Sequence, residues 1–107
     1  MENFTIEILN NGVQLNILLY IKSDIDKLSI TDREELFAES FFSMAGDTVR
    51  SLDGNSHRKC DSWDKVVFSI NSGPNNEVTK VNMNSLMSLT PNTLGQFIES
   101  KYQSLFQ

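Results

Sequence analysis

The stretch FTIEILNNGVQLNILLYI, residues 4–21, decides how this chain folds. Asn11-Gly12 separates two runs of alternating character, and both central positions of a type I′ turn need positive φ, which asparagine and glycine tolerate best. A two-residue loop there opposes Ile8 to Leu15, Ile6 to Ile17 and Phe4 to Leu19, every pair apolar on both sides. The other face then carries Thr5, Glu7, Asn16, Leu18 and Tyr20. A slip of one residue would exchange the two faces of the second strand.

Downstream, Thr31 and Glu34 have the spacing of a capping box, in which hydroxyl and carboxylate each satisfy a free backbone N–H, so a helix is expected to start there. Phe37, Phe41, Met44, Ala45, Thr48, Val49 and Leu52 follow at helical spacing, and Gly54 supplies a stop. DKVVFSIN and EVTKVNM read as two more strands around the turn-forming loop NSGPNN, with Val66 opposite Val81, Phe68 opposite Thr79 and Ile70 opposite Glu77. In the tail, Thr90 is an N-cap with Pro91 at the first helical position. Leu94, Ile98, Tyr102 and Leu105 then fall on one face. The segment NSLMSL, residues 84–89, fits a short helix or a strand extension equally well.

The order is therefore ββαββα. Hairpins leave one sheet face apolar and helices need a surface for their stripes, so the expected fold is α+β and two-layered. A four-stranded antiparallel sheet carries two helices on one face, in a single domain of residues 1–107. The inner face is expected to hold Phe4, Ile6, Ile8, Leu15, Ile17, Leu19, Val66, Phe68, Ile70 and Val81. The outer face is left with Leu18, Tyr20, Val67 and Val78 among Thr5, Glu7, Asn16, Lys22, Lys65 and Lys80.

With 39% hydrophobic and 21% charged residues, the 107-residue chain has enough apolar surface for one core and is too polar for a membrane protein. The longest apolar run, Ile17–Ile21, is far below the ~20 residues that span a bilayer. Glu2 and Glu7 stand where a secretory signal would carry basic residues, and a lone cysteine suits a reducing compartment, so a cytoplasmic location is expected. The net charge of −5 repels phosphate backbones, which disfavours nucleic acid as a partner. Asp24 and Asp26, like Glu34 and Glu35, read as solvated charge.

The candidates for chemistry gather in DGNSHRKCDSWD, residues 53–64, which holds the only histidine, cysteine and tryptophan. A closed zinc site wants four ligands, and His57 with Cys60 supplies two, which Asp61 and Asp64 could complete. A calcium loop fails at its sixth position, where the required glycine is Arg58, and at its twelfth, where Asp64 replaces the longer glutamate. Cys60 as a nucleophile with His57 as its base is chemically allowed beside Arg58 and Lys59, but loop residues three apart do not specify such a dyad. Trp63, just before a strand, is read as a cover for the end of the core.

No catalytic residue set, cofactor or metal is therefore assigned. The expected function is that of a small protein-binding or homodimerising module without catalysis, its partner another protein or itself, docking through Leu18, Tyr20, Val67 and Val78. The alternative is a small enzyme or metal-binding protein centred on His57 and Cys60.

Overall fold

The computed structural model describes residues 2–52, 64–71, 78–82, 85, 86 and 88–106, the side chains of 46–52 and 78 excepted. Strand β1 (Asn3–Asn10) turns into β2 (Val13–Ile21), which runs directly into a short helix α1 (Lys22–Asp26) and then a long one, α2 (Ile30–Leu52). Strands β3 (Lys65–Ile70) and β4 (Val78–Asn82) and helix α3 (Pro91–Phe106) complete the chain. The strands form one antiparallel sheet in the order β2-β1-β3-β4, so the expected α+β fold and ββαββα order are what the chain adopts, with α1 as an addition.

Residues with positive φ make the first turn: Asn11 at 50° and Gly12 at 81°. Next to that turn the pairing is the expected one, Asn10 with Val13 and Leu9 with Gln14. Beyond it the register shifts between Ile8 and Leu9, and the partners become Ile8 with Asn16, Ile6 with Leu18 and Phe4 with Tyr20. A bulge sets two residues of one strand against one of its neighbour, and here it adds Leu15 to β2. Every side chain of β2 after the bulge therefore lies on the face opposite to the one expected. Ile17 and Leu19, expected inside, are exposed, whereas Leu18 and Tyr20, expected outside, pack against the core.

The cause is aromatic packing. Phe4 is fully buried and meets the rings of Tyr20, Phe37, Phe68 and Tyr102 at centroid distances between 5.2 and 6.3 Å. Tyr20 in turn stands edge-on to Phe37 at 5.1 Å. From Ile17 to Ile21 both faces of β2 are apolar, so alternation cannot say which face turns inward; the larger ring goes where other rings can surround it.

Around this cluster Ile6, Ile8, Val66, Phe68 and Ile70 of the sheet meet Phe37, Phe41, Met44 and Ala45 of α2 and Leu94, Ile98, Tyr102 and Leu105 of α3. Both long helices thus bury their stripes on one sheet face. They also touch each other closely, since a Cβ at Gly95 would collide with the Glu34 carbonyl oxygen. The β3–β4 register is as expected, with Val66 opposite Val81 and Phe68 opposite Thr79.

Helix α2 starts earlier than the capping-box spacing predicts. Ser29, not Thr31, is the capping residue: its Oγ accepts the Asp32 N–H at 3.1 Å, and its carbonyl accepts the Arg33 N–H. At α3, Thr90 does cap as expected, its Oγ1 accepting the Thr93 N–H at 3.3 Å. Between β4 and α3, Leu86 is buried and its carbonyl accepts the Leu89 N–H in a turn. Among the described residues no helix is long and apolar enough to cross a membrane.

Candidate interaction surface

The face of the sheet opposite the helices is organised in cross-strand rows. One row runs Leu19, Thr5 and Ser69, with the Val78 backbone paired to Ser69, and the next runs Ile17, Glu7, Val67 and Lys80. Thr5 and Ser69 join their hydroxyls at 2.6 Å, which closes the middle of the first row with a polar pair. Val67 does lie on this face, yet it is only 6% exposed, between Glu7 and Lys80 in its row. The accessible apolar area is at the β2 end, where Ile17 is 40% and Leu19 56% exposed.

The four residues expected to bind a partner are therefore not one surface. Leu18 and Tyr20 face the helices, Val67 is outward but covered, and Val78 is placed by its backbone pairing with Ser69. Ile17 and Leu19 take the exposed position instead. Their signal was present in the sequence as the doubly apolar run Ile17–Ile21, but which alternate set it exposes depends on the bulge.

β2 is also an edge of the sheet. The Lys22 N–H donates to the Glu2 carbonyl at 3.0 Å, which marks these opposite residues as a hydrogen-bonded pair. In an antiparallel ladder such pairs alternate, so Tyr20 and Leu18 also direct their backbone groups towards β1. Ile17, Leu19 and Ile21 then direct theirs away from the sheet. Proteins usually blunt such an edge with charges or proline. From Val13 to Ile21 this strand has neither, whereas β4, the other edge, carries Lys80. One position is closed locally: the Ile17 N–H donates to its neighbour's Asn16 Oδ1 at 2.9 Å.

Elsewhere two sets of polar side chains hold the helices. Arg33 donates from Nη2 to Glu99 Oε2 at 2.7 Å, with side-chain exposures of 13% and 4%. The Gln103 amide donates to the same oxygen at 2.6 Å, and the Arg33 guanidinium lies 5.5 Å from the centre of the Tyr102 ring. The Tyr102 hydroxyl donates to Asp26 Oδ1 at 2.6 Å, and Lys22 Nζ pairs with Asp26 Oδ2. Asp26 is exposed, as its reading as solvated charge expects, and it also clamps α1 to α3.

The Lys22 ammonium and the Tyr102 hydroxyl hold the Asp26 carboxyl below the usual carboxylate range, in that order of importance. Asp26 therefore contributes stability above its unfolded pKa of about 3.9, and that contribution disappears as pH falls through the lower folded value. Comparing the chain with its Asp26→Asn variant by urea unfolding, the stability difference should be full at pH 6 and vanish in strong acid. A difference independent of pH would contradict the clamp. Burial pushes the Tyr20 phenol up to about 12, the Ser40 side chain opposing this in part.

A cleft of about 450 Å³ opens between α2 and α3, lined by Glu34, Glu35 and Glu39 opposite Pro91, Asn92 and Gln96. It has acceptors but no nucleophile with a base beside it. Among the described residues no three His, Cys, Asp or Glu side chains converge as a metal ion requires. His57, Cys60, Asp61 and Trp63 lie outside the described residues. Asp64 is exposed, its N–H donating to the Leu9 carbonyl at 3.0 Å. No protein-family model, curated protein or solved structure matches the chain.

Proposed function

We propose that this chain is a non-catalytic association module that forms a homodimer through the outer sheet face at its β2 end. The supporting observation is that Ile17 and Leu19 are exposed side by side on a strand without charge or proline. Large aliphatic side chains cost free energy in water, about 1.5–3 kcal/mol each between full exposure and full burial, so covering them favours association.

Native mass spectrometry of the untagged protein over a range of concentrations tests this. The wild type should show a species of twice the chain mass that gives way to the single chain on dilution. Replacing Ile17 and Leu19 together by lysine should weaken association at least about tenfold, the equivalent of 1.4 kcal/mol. Because both residues are already about half exposed and lie outside the core, the fold should tolerate the change. A wild type that is monomeric at every concentration, or a double variant that associates as the wild type does, would refute the reading.

A further inference from the structure

We infer that the two copies join edge to edge, β2 against β2 in antiparallel pairing about Leu19, making one eight-stranded sheet. The inference rests on the homodimer reading and specifies its geometry. Two constraints select the register. Directly opposite residues in an antiparallel pair share a face and alternate between bonded and unbonded pairs, so the residues with outward backbone groups must oppose one another. Those residues are Ile17, Leu19 and Ile21. The regular part of β2 is also bounded, by the bulge at Leu15 on one side and by α1 from Lys22 on the other.

Centring the two-fold axis on Leu19 satisfies both constraints. Leu19 then meets Leu19 of the second copy, and Ile17 meets Ile21. An axis on Leu18 would still oppose Ile17 to Leu19 but would set Ile21 against the bulged Leu15, and one on Tyr20 would set Ile17 against Ser23 of α1, so only Leu19 pairs all three outward residues. Among the described residues nothing bonds to the Leu19 backbone groups or the Ile21 N–H, which can pair at once. The Ile17 N–H joins them when Asn16 Oδ1 releases it.

The occupant is a second copy because the strip is its own complement. Across the axis, Ile17, Leu19 and Ile21 of one chain face the same three aliphatic residues of the other on the outer face. No charge falls within the strand, and the one at its end, Lys22, is opposite Asn16 and already paired with Asp26. A chain of net charge −5 can thus meet itself here without placing like charges together. The axis stands perpendicular to the sheet, which leaves all helices of the pair on one face. β4, whose edge carries Lys80, remains the terminus of the longer sheet.

Backbone amide exchange separates this geometry from a dimer made by stacking the two outer faces. Among the described residues the Leu19 and Ile21 N–H groups bond to no strand, whereas edge pairing protects Leu19 and Ile21 together. Nuclear magnetic resonance on labelled protein should show these two amides slowing at least about tenfold as the dimer is populated, while the Thr5 amide, already within the sheet, changes little. A second measurement compares Leu19→Pro with Leu19→Ala. Proline keeps more apolar carbon but loses the N–H, so edge pairing predicts that the proline variant is the weaker dimer of the two, and face stacking predicts the reverse. A dimer whose Leu19 and Ile21 amides exchange as fast as in the dilute chain overturns edge pairing and leaves the homodimer reading standing. A chain that never dimerises overturns both.

Discussion

Replacing Phe4 with alanine is expected to destabilise the chain by about 3–5 kcal/mol, the range for removing a buried phenylalanine. Phe4 is fully enclosed on the second strand from the sheet edge, and it is the ring on which β2, β3, α2 and α3 converge, through Tyr20, Phe68, Phe37 and Tyr102. The hole left by its ring would be walled by four other rings anchored on four different elements. They cannot close it without moving a strand or a helix, so the loss should lie at the upper end. Since single domains are stable by only about 5–15 kcal/mol, the midpoint of thermal unfolding should fall by more than about 10 °C. Calorimetry or circular dichroism would read this. A fall of a degree or two would mean that the aromatic cluster is not the centre of the fold.

Arg33→Met should have a comparable effect for an electrostatic reason. It leaves the Glu99 carboxylate 4% exposed with only the Gln103 amide to receive it. Removing one partner of a buried ion pair typically costs about 3–5 kcal/mol, because the remaining charge stays in a medium that solvates it poorly. Loss of the guanidinium beside the Tyr102 ring adds to this. Replacing both partners with apolar residues removes the stranded charge, so Arg33→Met with Glu99→Leu should recover at least about 2 kcal/mol of the loss. Urea unfolding of the two single variants and the double one would measure the coupling. Equal destabilisation by the single and double changes would show that Glu99 gains nothing from Arg33.

The distance between these partners explains why sequence reasoning missed them. Arg33 and Glu99 are 66 residues apart, and Asp26 and Tyr102 are 76. Each looks unremarkable in its own segment: Arg33 near the start of a helix, Tyr102 on an apolar stripe, Asp26 in an acidic connection. Only the crossing of α2 over α3 brings the first pair together, and that crossing needs the absent side chain at Gly95. The cap of α2 was a nearer miss. Ser29 and Thr31 are both acceptable capping residues, and the hydroxyl two residues earlier is the one that reaches a free N–H.

The candidate interaction surface shows the same division at the level of one strand. The dipeptide Asn11-Gly12 was sufficient to place the hairpin, because the positive φ of both residues is a local steric matter. Thr90-Pro91 likewise placed the start of α3, and hydrophobic spacing identified most of the core, since water excludes apolar side chains whatever lies on the other side. These features depend on neighbours within a few residues.

The face of β2 that meets water does not. Ile17, Leu18, Leu19 and Tyr20 make the strand apolar on both sides, so burial of either alternate set is favourable and the local pattern is silent. The decision came from outside the strand, where Phe37 of α2 and Tyr102 of α3 build with Phe4 a cluster of rings that Tyr20 joins and Leu19 does not. The bulge at Leu15 turns the strand to suit that cluster. Local stereochemistry and hydrophobic spacing thus determined the elements and their order. Tertiary packing alone decided which residues of β2 face the solvent, because only the assembled core can distinguish two sets of side chains that are equally apolar.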